Sequence, residues 1–130
     1  MKELPSIIKS PIEHIDLVKY AGASGDFNTI HTVSHIANEK GYPDVIVHGM
    51  FLMGWASQAI EEWFPKRRLR RFSVRFMAPT YPGESLVIKG KLLGPEAQVV
   101  IDIGSLEIVD SMGEIKLTGS FELSGGEDGI

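Results

Sequence analysis

Asp26, Asn28 and His31 fall within six residues of one another in a glycine-containing stretch, SGDFNTIH from Ser24 to His31. Aspartate and histidine form an acid–base pair, because imidazole titrates near neutrality and a carboxylate can orient it or share a water with it. Gly22 and Gly25 permit a backbone tight enough to aim both side chains into one cleft. The same residues equally suit an ordinary Asx turn, with Asp26 and Asn28 capping the helix that follows. Seventeen residues after His31 stand His48 and Gly49, at the head of an apolar run. The first N–H groups of a helix starting there have no intrahelical acceptors and sit at its positive end. Gly49 has no side chain to block approach, so the pair reads either as a closely packed helix cap or as an oxyanion hole for a carbonyl gaining charge. His31, His35 and Glu39 recur every fourth residue and define the only metal reading. That spacing lacks the general-base glutamate of a zinc protease, and no metal is expected. His14 lies beside acids on an expected surface helix and is given no role.

The elements that position these residues follow from periodicity. Pro11 to Tyr20 carries apolar residues at helical spacing, with Ser10 expected as N-cap, Pro11 as the first helical residue and Gly22 as the stop. A short helix is expected from Val33 to Glu39, ending at Gly41, with a turn at Tyr42 to Asp44. The run from His48 to Pro65 is apolar on almost every side, which predicts a buried helix. Four stretches then alternate as strands do: RFSVRF with Phe72, Val74 and Phe76 inward, SLVIKGKLL, QVVIDIGSLEIVD and EIKLTGSFEL. The apolar phase changes near Gly104, which predicts a bulge there. One long helix followed by strands at hairpin spacing predicts an α+β domain, over residues 1–123, with residues 124–130 as a flexible tail. A sheet of this kind covers its helix on one side only, so a homodimer is expected.

Composition narrows the function. The 130 residues are 43% hydrophobic and contain no cysteine, which excludes a disulfide scaffold, a thiolate metal site and a cysteine nucleophile. With 13 basic and 17 acidic residues the net charge is −4, which argues against nucleic-acid binding. No apolar run is long enough to span a membrane. The N-terminal MKELPSIIKS lacks the pattern of a secretory signal, so a cytoplasmic location is expected. All five arginines lie between Arg67 and Arg75. They read first as a solvated strand face and second as a docking surface for an anionic phosphate handle.

YAGASGDFNTIH, then HGM, then FSVRFMAPTYPGESL together resemble the signature of the MaoC-like, or (R)-specific, enoyl-CoA hydratases and dehydratases. The resemblance runs from about Ile15 to Leu93 and departs from the family's usual pattern at Thr29, Val33 and Ser34. It implies a single hot-dog domain, a long central helix wrapped by an antiparallel β-sheet. It also places the catalytic aspartate on Asp26, the catalytic histidine on His31 and the oxyanion glycine on Gly49. Ser24, Asn28 and His48 fall on the substrate side of the same loop and helix head.

The activity so implied is reversible hydration of a trans-2-enoyl thioester, carried by coenzyme A or an acyl-carrier protein, to the (R)-3-hydroxyacyl thioester. Asp26 and His31 hold the water, and the Gly49 N–H stabilises the enolate. It needs no cofactor. Two other readings stand beside it: a hot-dog thioesterase that hydrolyses the same thioester, and a non-catalytic acyl-thioester-binding subunit of a heteromeric dehydratase. Retention of both Asp26 and His31 weighs against the second.

Overall fold

The computed structural model describes residues 1–95 and 101–124. In chain order the elements are β1 (Lys2–Glu3), β2 (Ile7–Lys9), α1 (His14–Ser24), a 3-10 turn (Thr29–His31), α2 (Ser34–Glu39) and α3 (Gly49–Trp63). Four long strands follow: β3 (Arg68–Phe76), β4 (Leu86–Pro95), β5 (Ile101–Asp110) and β6 (Ile115–Ser124). They form one antiparallel sheet in the order β1-β4-β5-β6-β3, with β2 also paired to β4. The expected α+β arrangement, a long helix wrapped by an antiparallel sheet, is the one this chain adopts.

The core lies between α3 and the inner face of the sheet. Leu52, Ala56, Ala59 and Ile60 on α3 pack against Leu86, Ile88, Leu106, Ile108, Leu117 and Phe121. Each fully buried Leu, Ile or Phe among these contributes about 1.5–3 kcal/mol of hydrophobic stabilisation. Trp63 fixes the far end of α3, its indole N–H donating to Pro5 O at 2.8 Å. Its ring lies over Gly90 so closely that a Cβ there would overlap it. Not all of α3 is buried, as its apolar composition led us to expect: Met50, Gly54, Ser57 and Gln58 are exposed in this chain. That face is the side the sheet does not cover.

Local chemistry moves several boundaries. α1 begins after Glu13, whose side chain and that of Asp16 form a reciprocal capping box, so Ser10 and Pro11 lie outside the helix. α1 also runs through Gly22 and ends at Gly25, which takes the left-handed conformation at φ 79°. Gly22 is therefore not the stop, because the hydrogen-bonded C-cap, Gly25 N–H to Ala21 O at 2.9 Å, forms three residues later.

A bulge does lie at Gly104, but on the neighbouring strand: Gly104 pairs with Leu92 and Phe121, Ile103 pairs with Gly94, and Leu93 of β4 is the extra residue opposite them, while a second shift on β6 lies opposite Ile108 and Val109. Gly104 shares the inner face with Leu106 and Ile108, and the Phe121 ring occupies the space its side chain would need. The apparent phase change is an inner position left empty for an aromatic ring. Residues 98–100 of the third alternating stretch lie outside the described residues, as do residues 125–130 of the expected tail. Ser124 itself is the last residue of β6 and pairs with Arg68 and Ile101.

Candidate active site

The loop from Ser24 to His31 is held by three successive bonds between a side chain and a backbone N–H two residues on. Ser24 Oγ accepts from Asp26 N at 3.1 Å, Asp26 Oδ1 from Asn28 N at 3.2 Å, and Asn28 Oδ1 from Ile30 N at 3.2 Å. The Asx-turn reading is therefore real, and Ser24 and Asn28 commit their oxygens to it. It coexists with the acid–base arrangement, because the turn spends one oxygen of Asp26 and leaves Oδ2 facing His31 Nε2 at 3.8 Å.

His31 is buried at 8% exposure, whereas half of the Asp26 side chain is exposed. His31 Nδ1 lies 2.8 Å from the carbonyl of Ile46. A carbonyl only accepts, so Nδ1 carries a proton and Nε2 is the ring nitrogen turned toward Asp26. The 3.8 Å gap is too long for a direct hydrogen bond and lets one water oxygen reach both groups.

His48 is the N-cap of α3 and is 2% exposed. Its ring stacks on that of His31, centroids 3.8 Å apart, and the Tyr20 ring packs against it, tilted, at 4.8 Å. Nε2 donates to the main-chain oxygen of Asp26 at 3.3 Å, while Nδ1 is buried with no partner among the described residues. Burial, and next the neighbouring His31, hold its pKa below the usual histidine value, so His48 stays neutral. Gly49 follows His48 in the chain and so adjoins this stack. As the first residue of α3, Gly49 has an N–H without an intrahelical acceptor.

Among the described residues Asp26, His31 and His48 bring ligand-type atoms within 4.8 Å of one another. The two imidazole planes are only 20° from parallel, however, and lone pairs lie in the ring planes, so one ion cannot lie in both. The His31, His35, Glu39 set does not assemble, since His31 is buried in the 3-10 turn while His35 and Glu39 are exposed on α2. The arginine cluster divides. Arg67 is drawn inward onto Asp102 at 2.9 Å, and Arg71 lies 3.7 Å from Glu122. Arg67 follows α3, whose 15 residues span about 21 Å at 1.5 Å per residue from Gly49, whereas Arg71 lies on β3, which runs back to Phe76 beside Gly49.

The sequence reading gave no site role to three further contributors. Ile46 acts through its carbonyl, Tyr20 through its ring, and His14 through a 3.0 Å bond from Nε2 to Thr32 O that ties α1 to the loop. A backbone carbonyl leaves no trace in residue types. Tyr20 and His14 carried one, but each resembles an ordinary helix residue.

No helix among the described residues is long and apolar enough to cross a membrane. Enoyl-CoA hydratase 2, peroxisomal, of Arabidopsis thaliana is 34% identical over 74 residues, 55% of this chain and 24% of that protein. 3-Hydroxyacyl-thioester dehydratase X of Mycobacterium tuberculosis is 44% identical over 61 residues, 47% of this chain and 21% of that protein. The matched segments thus span less than a quarter of these relatives. The solved (R)-hydratase of A. caviae, involved in PHA biosynthesis, superposes with a TM-score of 0.83 at 19% identity, over 95% of this chain and 96% of that one. That likeness shows the hot-dog fold. The family model for the MaoC like domain matches residues 2–107, a span that holds the whole loop, the head of α3 and the first two long strands. On that extent of match, this chain belongs to the family of MaoC-like dehydratase domains.

Proposed function

We propose that this protein adds water reversibly across the double bond of a trans-2-enoyl thioester, giving the (R)-3-hydroxyacyl thioester. The observation that carries this reading is the orientation of His31. Its Nδ1–H is spent on Ile46 O, so Nε2 is the ring nitrogen free to exchange a proton, 3.8 Å from Asp26 Oδ2. In hydration, Asp26 and His31 together hold the water, and one of them accepts its proton as the oxygen bonds to C3. Charge gathers on the thioester oxygen as an enolate, which the Gly49 N–H and the helix end stabilise. The proton then returns to C2. In reverse the same groups remove water. Coenzyme A and an acyl-carrier protein both fit as the thiol carrier, and a second copy of this chain fits the uncovered face of α3.

The test is ultraviolet absorbance of crotonyl-CoA and a longer enoyl-CoA at the conjugated-thioester band, with a thiol reagent in a parallel cuvette. Loss of conjugation without thiol release is expected, with (R)-3-hydroxyacyl-CoA as product. Release of thiol would make the protein a thioesterase. No change in either cuvette, with carrier-protein thioesters also inert, would overturn the reading.

A further inference from the structure

Lys116 is the extra residue of the β6 bulge: Leu117 pairs with Ile108 and Ile115 with Val109, leaving Lys116 between them without a partner on β5. Such a bulge re-aims a side chain, and here it turns a lysine inward to 1% exposure. Burying an ammonium is costly unless it is paired and hydrogen-bonded. Its Nζ donates to Pro79 O at 2.9 Å and Glu114 Oε1 at 2.7 Å, with Glu84 Oε2 at 3.2 Å and Asp110 Oδ2 at 3.7 Å. Glu114 and Asp110 belong to the β5–β6 hairpin, as a simple hairpin pin would require. Pro79 does not.

The Pro79 contact leads to the candidate site. The main-chain oxygen of Lys116 accepts from Met77 N at 2.9 Å, so one residue holds the 77–79 strip at two points. The next carbonyl, Thr80 O, accepts from Val47 N at 2.8 Å. Val47 stands between Ile46, whose carbonyl orients His31, and the His48–Gly49 head of α3. The strip touches that head a second time, where the ring of Phe76 would lie 3.0 Å from a Cβ on Gly49.

We propose that Lys116 is a positioning residue: through Pro79 and Thr80 it fixes the Ile46–Gly49 segment, and with it the direction of His31 and of the Gly49 N–H. Its catalytic consequence rests on the enoyl-thioester reading, but its structural consequence does not. Lys116→Met keeps the length and removes the donors, while Lys116→Arg keeps the cation and supplies N–H donors of its own.

Amide hydrogen exchange on the full chain separates local from global effects. K116M is expected to lower protection of the Val47 amide tenfold or more while Val74 and Leu106 in the sheet keep theirs. On crotonyl-CoA its kcat should fall tenfold or more with KM within twofold, and K116R should recover both signals to within threefold. Unchanged Val47 protection, or a loss spread evenly over the sheet, would overturn the proposal. So would a rise in KM with kcat intact. If K116M does not fold, Lys116→Gln is read in its place by the same criteria. If the wild-type chain turns over no enoyl thioester, the hydratase reading fails, and exchange at Val47 still decides the positioning role.

Discussion

His31 and His48 lie ring against ring, with centroids 3.8 Å apart and planes 20° from parallel. Two imidazolium ions in that position would repel at close range, and only one of these rings faces Asp26 Oδ2. Burial first, and His31 second, lower the His48 pKa, against a smaller opposing pull from Asp26. Between the ordinary histidine value of about 6.5 and His48's lower folded value, the unfolded chain binds more protons than the folded one. Stability is therefore complete above about pH 6.5 and declines as pH falls through that window. Urea midpoints measured from about pH 8 down to pH 5 should drop more steeply for the wild type than for His48→Gln. Parallel curves would remove His48 as the source.

Asp26 and His31 are separable by cost. Asp26 is half exposed and its Oδ1 accepts from Asn28 N, so its loss should cost about 0.5–1.5 kcal/mol. His31→Ala leaves the Ile46 carbonyl without its donor, at about 1–3 kcal/mol, which a folded domain of this size can absorb. Both Asp26→Ala and His31→Ala should fold by circular dichroism and lose about 100-fold or more in hydratase turnover. A purified variant of either kind that keeps the wild-type rate would reject the dyad.

Gly104 and Phe121 form a matched pair at the centre of the sheet. Phe121 is 1% exposed, so its ring has nowhere to move when a Cβ is added to Gly104. Gly104→Ala should cost about 1–3 kcal/mol by chemical denaturation. The same change in a Phe121→Leu background should cost less, because the smaller side chain yields space. Additive losses in this double-mutant cycle would show that the two do not interact.

What could be read from the sequence follows the length of the pattern. Phe72 and Val74, or Leu86 and Ile88, repeat with a period of two over whole strands, and their faces were legible for that reason. Ile7 and Ile8 were not, because β2 has three residues and no period can be read in three. Lys116 sits where alternation sends a lysine outward, and only the one-residue bulge reverses it. At the N-terminus of α1, Ser10–Pro11 is a stronger local signal than Glu13. The reciprocal box with Asp16 prevailed because it satisfies two backbone donors at once. In the site, the types and spacing of Asp26, His31 and Gly49 were visible, whereas the carbonyls of Ile46 and Thr80 that hold them have no residue signature.

Arg67 tests whether the arginine run serves the substrate or the fold. Its Nη1 lies 2.9 Å from Asp102 Oδ2, with the two side chains 13% and 22% exposed. Nε and Nη2 are buried without partners among the described residues. Removing the carboxylate strands a guanidinium that solvent barely reaches. Breaking a fully buried pair costs about 3–5 kcal/mol, so Asp102→Ala should cost about 2–3 kcal/mol given this partial exposure. Neutralising exposed Arg68 and Arg70 should change stability by less than about 0.5 kcal/mol. Because Arg67 sits past the far end of α3, folded D102A should keep the wild-type KM for crotonyl-CoA. A raised KM without lost stability would instead return Arg67 to the role of an anion-docking group. The pairing with Asp102 and the burial of Nε and Nη2 argue the other way, because a guanidinium that solvent barely reaches is poorly placed to meet a phosphate.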